Sequence, residues 1–220
     1  MKTLGIGLIG SGFMGRCQVN AYNSIASIFE VSRRPVLKIL ADATPELASQ
    51  QAKALQFEQS TEDWQELVNH PEVDVVDITA PNHLHHPIAI AALNLGKPVY
   101  CEKPLACTLA EAEEMADLAK AQQIPTLVGY NYLQNPLMKT AREIVQSGEI
   151  GEPISFRGVH AEDYMANPLS PYTTRLDASQ GGGVLYDLGS HIISLARYIA
   201  GPSQEVLGTL TTVVPERPTN

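Results

Sequence analysis

The segment Leu4-Gly-Ile-Gly-Leu-Ile9 leads without interruption into Gly10-Ser-Gly-Phe-Met-Gly15. A continuous apolar run without polar alternation is typical of a parallel strand that is covered on both faces. The glycine spacing that follows is the fingerprint of a dinucleotide-binding turn, provided that a strand precedes it and a helix follows it. Because residues 14–26 have a helical pattern, we predict a strand, a ligand-binding turn and a helix. The alternative is a glycine-rich turn that binds no ligand.

Each glycine of this fingerprint has a physical task. Gly10 permits a tight turn, Gly12 allows the backbone to approach a pyrophosphate, and Gly15 allows the helix to pack closely on the strand. The unpaired N–H groups at the helix start then attract negative charge. We therefore expect this turn to bind the pyrophosphate of a nicotinamide dinucleotide.

Asp42 follows the second predicted strand, residues 36–41, and is an acceptor for the adenine-ribose hydroxyls. It lies 27 residues after Gly15, against about 20 in the usual motif, and the loop at 29–35 accounts for the excess. A carboxylate here repels a 2′-phosphate, and residues 43–45 contain no arginine to offset that repulsion. NAD is therefore favoured over NADP. The alternative role of Asp42 is a solvated helix N-cap.

The first half of the chain alternates short apolar runs with amphipathic stretches, the pattern of β-α-β units around a doubly wound parallel sheet. Further strands are predicted at 73–79, 99–101 and 126–130, and helices at 61–68, 87–95 and 109–122. Pro87 is expected in the first turn of its helix and Thr108 as an N-cap. We assign residues 1–125 to an NAD(P)-binding Rossmann domain.

The pattern changes after Asn135-Pro136, and residues 126–220 are assigned to a second, partial α/β domain. Helices are predicted at 138–147 and 184–199, strands at 154–160 and 204–214, and a polar loop at 161–180. Two strands make a thin core with exposed edges. We therefore expect either a fragment of a longer chain or strands supplied by a partner, and we favour the fragment.

Composition excludes several classes of protein. Fifteen Lys and Arg against 24 Asp and Glu give a formal net charge of −9, which argues against nucleic-acid binding. No apolar run approaches the roughly 20 residues of a membrane span, and the N-terminus lacks a signal-peptide cleavage pattern. Three cysteines without a CxxC pair indicate a reducing compartment, which we take to be the cytoplasm. His83, His85 and His86 are too close in sequence to surround one ion, so no metal site is predicted.

Two clusters carry candidate chemistry. Glu102-Lys103-Pro104 follows a strand whose carboxyl end is expected to face the same crevice as the glycine turn. Asp187 and His191 lie four residues apart among apolar neighbours, so on a helix they share one face. Polar groups in such a position need partners or a task. A purely structural His–Asp hydrogen bond would satisfy them equally well.

Taken together, these motifs resemble the Gfo/Idh/MocA oxidoreductases, the relatives of glucose–fructose oxidoreductase and inositol dehydrogenase. The resemblance covers about residues 4–214 and rests on Gly10-x-Gly-x-x-Gly15, Pro81-Asn-His-Leu-His85, Glu102-Lys-Pro104 and the segment from Gly181 to His191. The sequence of residues 102–105, 128–131 and 215–218 is most similar to a subgroup that acts on sugars, anhydrosugars and cyclic polyols. Relatives usually continue through several more strands after Val214, and often have an aromatic residue in place of Thr174.

The resemblance implies a second domain built on an antiparallel sheet that pairs in a dimer or tetramer. It also implies a catalytic group of Lys103, Asp187 and His191. Together with the glycine fingerprint it predicts a cofactor-binding set of Gly10, Gly12, Phe13, Met14, Gly15, Asp42, Thr79, Pro81, Asn82, His85, Glu102, Lys103, Asn131 and Arg175. The predicted substrate-binding set is Lys103, Tyr130, Asp187 and His191.

The expected reaction is NAD-dependent oxidation of a secondary alcohol of a sugar, anhydrosugar or cyclic polyol. His191 has a reference pKa suited to a general base, Lys103 supplies a cation near the developing alkoxide, and Asp187 orients His191 and binds a substrate hydroxyl. The residue types do not decide whether Lys103 or His191 takes the first proton. A different class remains open at this point: a non-catalytic NAD-binding sensor or regulatory subunit with a truncated substrate domain.

Overall fold

The computed structural model describes residues 2–219, and the chain divides into two compact units between Gly129 and Tyr130. The first unit contains one six-stranded sheet in which every pair of neighbouring strands is parallel, in the order β3-β2-β1-β4-β5-β6. This is the strand order of a Rossmann fold. The strands are β1 (Lys2–Ile9), β2 (Arg33–Ala41), β3 (Gln59–Thr61), β4 (Val75–Ile78), β5 (Val99–Cys101) and β6 (Thr126–Val128).

Five helices connect these strands: α1 (Phe13–Ile28), α2 (Pro45–Leu55), α3 (Trp64–Asn69), α4 (Asn82–Asn94) and α5 (Leu109–Gln122). Helix α2 and strand β3 were not predicted, although Thr44 caps α2 and Pro45 begins it. The predicted start of α4 was too late, because Pro87 lies inside that helix and not in its first turn. Thr108 caps α5 as predicted, in a reciprocal arrangement with Glu111.

The sheet is buried on both faces by separate apolar clusters. One cluster joins residues of α3, α4 and α5 to the strands, with Ile78, Ile88 and Leu93 at its centre. The other is built around Leu8, Leu40 and residues of α1 and α2. Coverage on both faces explains the continuous apolar character of β1 that the sequence displays.

The boundary between the units lies four residues later than the predicted boundary at 125. Strand β6 pairs with β5 through the register Val99 with Thr126 and Cys101 with Val128. Residues 126–128 are therefore part of the parallel sheet, and the first unit ends at Gly129.

The second unit contains two α-helices, α6 (Pro136–Gln146) and α7 (Ser190–Ala200), and several short helical turns. The strands predicted at 154–160 and 204–214 are not observed: within residues 130–219 no β-ladder is formed. Their apolar side chains are instead solvent-exposed, with Ile154 at 100% and Leu207 at 101% of full exposure. The sequence of both segments is strand-like, but a strand requires a hydrogen-bonded neighbour, and these two segments do not pair with each other.

Membrane-spanning and disulfide-bonded structure are both missing from the described part of the chain. Between residues 2 and 219, no helix is both long and apolar enough to cross a membrane. Cys17, Cys101 and Cys107 are all free thiols.

Candidate functional site

The turn after β1 has the geometry that its glycines predicted. Gly10 has a φ of +95°, and a Cβ there would come within 2.8 Å of the Thr79 carbonyl oxygen. A Cβ on Gly15 would lie 2.3 Å from the Gly10 carbonyl oxygen, so this position requires glycine for the helix to pack against the turn. The Thr79 hydroxyl donates to that same Gly10 oxygen at 2.6 Å and fastens the turn to the end of β4.

The start of α1 fits a phosphate group. Its N-cap is Gly12, which contributes no side-chain cap, and the first turn contains no acidic residue. Nothing lies within 4 Å of the position of a Cβ on Gly12, so the backbone N–H groups are approachable. Phe13 is 76% exposed and Met14 is half-buried beside the same turn. An exposed helix start with uncapped donors is suited to an anionic ligand.

Asp42 lies beside this turn, at the end of β2. Its Oδ2 accepts hydrogen bonds from the Ser11 backbone N–H at 2.9 Å and from the Ser11 hydroxyl, and its Oδ1 accepts from the Ala43 N–H at 2.8 Å. The carboxylate is therefore fixed next to the glycine turn, with acceptor capacity left for a diol. It does not serve as the cap of α2, because Thr44 has that role.

The segment Pro81-Asn-His-Leu-His85 follows β4 and lies at the carboxyl edge of the sheet. Pro81 is exposed and Asn82 begins α4. His85 is buried, with Nδ1 2.8 Å from the Pro104 carbonyl oxygen and Nε2 2.9 Å from that of Ala80. Burial is the main cause of a lowered pKa for His85. Because both ring nitrogens of this buried histidine face backbone carbonyl oxygens, the geometry favours a supporting role beneath the ligand-facing loops over direct contact with a cofactor.

The neighbouring histidines do not converge with His85. His83 is exposed, and His86 pairs with Glu114 at 2.9 Å. Throughout residues 2–219, no group of three or more His, Cys, Asp or Glu side chains is arranged to hold a metal ion.

Glu102 and Lys103 lie where β5 ends. Glu102 is 6% exposed; its Oε1 accepts from the Gln18 side-chain amide at 3.1 Å, and its Oε2 accepts from the Lys103 backbone N–H at 3.3 Å. Burial raises the pKa of Glu102, and the Lys103 charge acts in the opposite direction. Lys103 is half-buried and precedes a cis peptide bond to Pro104. The Glu102 carboxylate accepts a hydrogen bond from the Lys103 backbone N–H, so the backbone from which the lysine side chain extends is anchored.

In the second unit, Asp187 is at the centre of a charged group. Its Oδ2 accepts a hydrogen bond from the Tyr164 hydroxyl and forms an ion pair with Arg175 Nη1 at 3.3 Å. Burial, followed by the Asp187 interaction, raises the pKa of Tyr164, so the phenol remains a donor at neutral pH. The predicted residues Asp187 and Arg175 are therefore in direct contact.

His191 is buried in a cluster of polar aromatic rings. The Tyr132 ring meets it edge-on at 4.7 Å between centroids, the His160 ring lies at 5.4 Å, and the Tyr130 ring at 6.2 Å. Burial raises the pKa of Tyr130. Asn131 is exposed at the start of the adjacent short helical turn. Tyr130 and His191, both predicted substrate-binding residues, are thus neighbours within one unit.

The sequence pattern predicts a regular α-helix that carries both Asp187 and His191. The observed helix is irregular at its start. Residues Leu185–Gly189 form a π-helical turn, which continues into α7 at Ser190. A π turn closes with i→i+5 hydrogen bonds and is frequent at functional sites. Asp187 lies in this π-helical turn and His191 at the start of α7, and Tyr164 and Arg175 are partners of the Asp187 carboxylate.

Several residues of these clusters were not predicted. Tyr164 lies in a long polar loop and His160 in a segment predicted as a strand, so neither had a spacing that marked it. Gln18 and Tyr22, in contrast, are four apart on α1 and share one face, a signal that could have been detected. Tyr22 donates to Asp77 Oδ2 at 2.9 Å.

Asp77 is expected to make the stability of the first unit depend on pH. It is fully buried on β4, its Oδ1 has no hydrogen-bond partner among the described residues, and burial raises its pKa to about 7. The folded state holds the Asp77 proton more tightly than the unfolded chain does. The contribution of this protonated carboxyl to the free energy of unfolding is therefore fully present below about pH 4, and it is lost as the pH rises through about 7. Asp77→Asn should flatten this part of the curve of melting temperature against pH. The exposed Asp117→Asn is the control; equal slopes in wild type and Asp77→Asn would contradict the assignment.

Comparison with known proteins agrees with this geometry. The model of the Gfo/Idh/MocA oxidoreductase family, NAD-binding Rossmann fold, matches residues 4–130, and the model of the Gfo/Idh/MocA C-terminal domain matches residues 138–220. Levoglucosan dehydrogenase of Pseudarthrobacter phenanthrenivorans is 43% identical over 99% of this chain and 56% of its own length. Myo-inositol 2-dehydrogenase of Thermotoga maritima is 28% identical over 91% of this chain and 56% of its own length.

A solved structure of levoglucosan dehydrogenase in complex with NADH and levoglucosan superposes with a TM-score of 0.96 at 42% identity. The match covers 99% of this chain and 59% of that structure. The chain therefore spans little more than half the length of these relatives. With a parallel sheet in the Rossmann strand order, a glycine turn fitted to phosphate and matches to both family domains, the chain belongs to the Gfo/Idh/MocA oxidoreductase family.

Proposed function

We propose that this chain forms the catalytic part of an NAD-dependent dehydrogenase that oxidises a secondary alcohol of a sugar, anhydrosugar or cyclic polyol. The observation that carries the proposal is the coexistence of a phosphate-binding turn, with Asp42 beside it, and a buried His191 on the helical segment that also carries Asp187. Similarity to levoglucosan dehydrogenase along almost the whole chain supports the substrate class. When bound, the nicotinamide cofactor accepts the hydride that leaves the alcohol carbon.

The residues of the first unit would hold the cofactor. The N–H groups at the start of α1 would bind the pyrophosphate, and Asp42 would accept from the adenine-ribose hydroxyls. Because its carboxylate repels a 2′-phosphate, NAD is the proposed cofactor and NADP is disfavoured. Thr79, Pro81, Asn82 and Glu102 line the same edge of the sheet, where open α/β sheets bind ligands.

Residues His191 and Asp187 of the second unit, together with Lys103 of the first, would carry out proton transfer and bind the substrate hydroxyls. The hydroxyl proton of the substrate must pass to a base as the hydride leaves, or an alkoxide would form at high cost. We assign that proton transfer to His191 and Lys103 jointly, with the lysine cation next to the developing negative charge. Asp187, held by Tyr164 and Arg175, would accept a hydrogen bond from a second substrate hydroxyl.

Polar aromatic rings around His191 fit a carbohydrate ligand. The ring centroids of Tyr130, Tyr132 and His160 lie 4.7 to 6.2 Å from that of His191, and such side chains combine an apolar ring with a hydrogen-bonding tip. Asn131, which follows Tyr130 in the chain, and Arg175, which pairs with Asp187, are proposed contacts of the nicotinamide or the substrate.

The exposed apolar segments of the second unit support a larger sheet. Ile154, Val159, Val206 and Val213 are each more than 85% exposed, and the region matches the family's C-terminal domain model. We propose that these segments are strands of an antiparallel sheet completed by further strands, and that the sheet mediates homo-oligomerisation. The three free thiols support a reducing compartment such as the cytoplasm.

The test is NADH formation, followed by absorbance, on a panel of levoglucosan, myo-inositol and simple aldoses. It should be performed with this chain and with any longer natural form of the protein. We expect turnover with at least one anhydrosugar or polyol, and slower turnover with NADP than with NAD. A protein that binds NADH but oxidises no member of the panel would contradict the proposal and favour a nucleotide sensor.

A further inference from the structure

A buried polar cluster lies beneath the carboxyl edge of the parallel sheet. Gln18 and Tyr22 reach it from one face of α1, and Asp77 enters from β4. Tyr100 is paired with Asp77 in the register of β5, and Glu102 follows two residues later on the same face. Gln18, Asp77 and Glu102 are each less than 10% exposed, so these three side chains are shielded from solvent.

Within the cluster, both oxygens of the Glu102 carboxylate are held. Gln18 Nε2 donates to Oε1 at 3.1 Å, and the Lys103 backbone N–H donates to Oε2 at 3.3 Å. Gly129 packs directly against the Glu102 carboxylate, because a Cβ on this glycine would lie 2.7 Å from it. The carboxylate is therefore confined between α1, the end of β6 and the backbone of Lys103.

The charges of the cluster explain why a neutral donor stands opposite Glu102. Burial raises the pKa values of Asp77 and Glu102, and the Asp77 carboxyl is made less acidic still by the nearby Glu102. Tyr22 and Tyr100 have pKa values raised by burial and remain neutral phenols. An amide donor from Gln18 stabilises the Glu102 anion without adding another charge to this acidic interior.

We propose that Gln18 is a positioning residue for Lys103 and acts through the Glu102 carboxylate. The role assigned to Lys103 rests on the proposed function. Gln18 fixes Glu102, Glu102 holds the Lys103 backbone N–H, and the lysine side chain leaves that backbone in a defined direction. Misplacement of a reacting group by about 1 Å can cost a hundredfold in rate, so a loosened anchor is expected to lower kcat more than cofactor affinity.

The first test is Gln18→Ala, measured in two ways. We expect kcat to fall about tenfold, with the KM for NAD changed less than about threefold. We also expect faster hydrogen exchange of the Lys103 backbone amide, measured by NMR, because its acceptor is no longer fixed. Asn20→Ala removes a carboxamide from the exposed side of the same helix and should change neither quantity. If Gln18→Ala does not fold, Gln18→Met is used in both measurements, because methionine preserves the volume of the glutamine side chain and removes its amide.

The second test is Gln18→Glu, which keeps the shape and makes the hydrogen bond depend on a proton. When protonated, the introduced carboxyl can donate to Glu102 as the amide does, whereas two ionised carboxylates repel each other. The variant should therefore approach wild-type kcat at low pH and lose activity as the pH rises, at temperatures well below its melting transition. A residue with a packing role alone would give no such new limb in the pH profile.

The outcomes separate this proposal from the proposed function. A wild-type protein without dehydrogenase activity, in which Gln18→Ala still accelerates exchange at the Lys103 amide, would refute the proposed function and support the anchor. Unchanged exchange at Lys103 in Gln18→Ala would overturn the anchor, whether or not activity falls. Loss of activity through a raised KM alone would also overturn it.

Discussion

Replacing Lys103 by methionine, or His191 by phenylalanine, is expected to lower kcat at least about a hundredfold while NADH still binds. Methionine keeps the apolar stem of the lysine and deletes its cation. Phenylalanine keeps the ring that packs against Tyr132 and deletes both nitrogens. Each variant thus removes a proton-transfer group with little change of shape, and the loss should appear in kcat and in kcat/KM together.

The control for the lysine variant is Lys120→Met on the exposed surface of α5, which should keep wild-type turnover. NADH affinity, measured by fluorescence titration, should stay within about threefold of wild type in all three variants, because none removes a proposed pyrophosphate or ribose contact. Near-normal kcat in both Lys103→Met and His191→Phe would show that neither residue moves the proton.

Asp42→Ala is expected to raise the KM for NAD by about 10- to 100-fold, since hydrogen bonds to a charged group contribute about 1.5–3 kcal/mol each. It should also reduce the preference for NAD over NADP, because the charge that repels a 2′-phosphate is gone. Two effects are combined in this variant, as the carboxylate also binds the Ser11 backbone in the glycine turn. Steady-state kinetics with both cofactors measures them.

Asp42→Asn separates the two effects. The amide retains an acceptor for Ser11 and so preserves the turn, but it carries no charge. We expect discrimination against NADP to relax while the KM for NAD rises less than in Asp42→Ala. If the ratio of kcat/KM values for NAD and NADP is unchanged in both variants, Asp42 does not select the cofactor.

The parts of the fold that depend on local sequence could be predicted. The turn from Gly10 to Gly15 requires glycine for steric reasons that act within a few residues, and the structure has the predicted strand, turn and helix there. Thr108 caps α5 because its hydroxyl and Glu111 are close in sequence. Local causes of this kind leave a recognisable spacing.

The parts that depend on distant partners could not be predicted in the same way. Residues 154–160 have a strand-like sequence, yet form no ladder in the described chain, because pairing depends on what lies alongside. The contact of Tyr164 with Asp187 joins residues 23 apart across an irregular loop, and no periodicity marks it. The π-helical turn at Leu185–Gly189 likewise has no sequence pattern that distinguishes it from an α-helix.

We expect the Lys103 ammonium, the Asp187 carboxylate and the His191 imidazole to meet one substrate beside the nicotinamide. A crystal structure of the protein with NADH and an oxidisable sugar or polyol measures this directly. We predict that Lys103 and His191 each lie within about 3.2 Å of the same substrate hydroxyl, the reach of a proton-transfer hydrogen bond, and that Asp187 contacts a neighbouring one. A bound sugar with its reactive hydroxyl turned away from Lys103 and His191 would contradict the account.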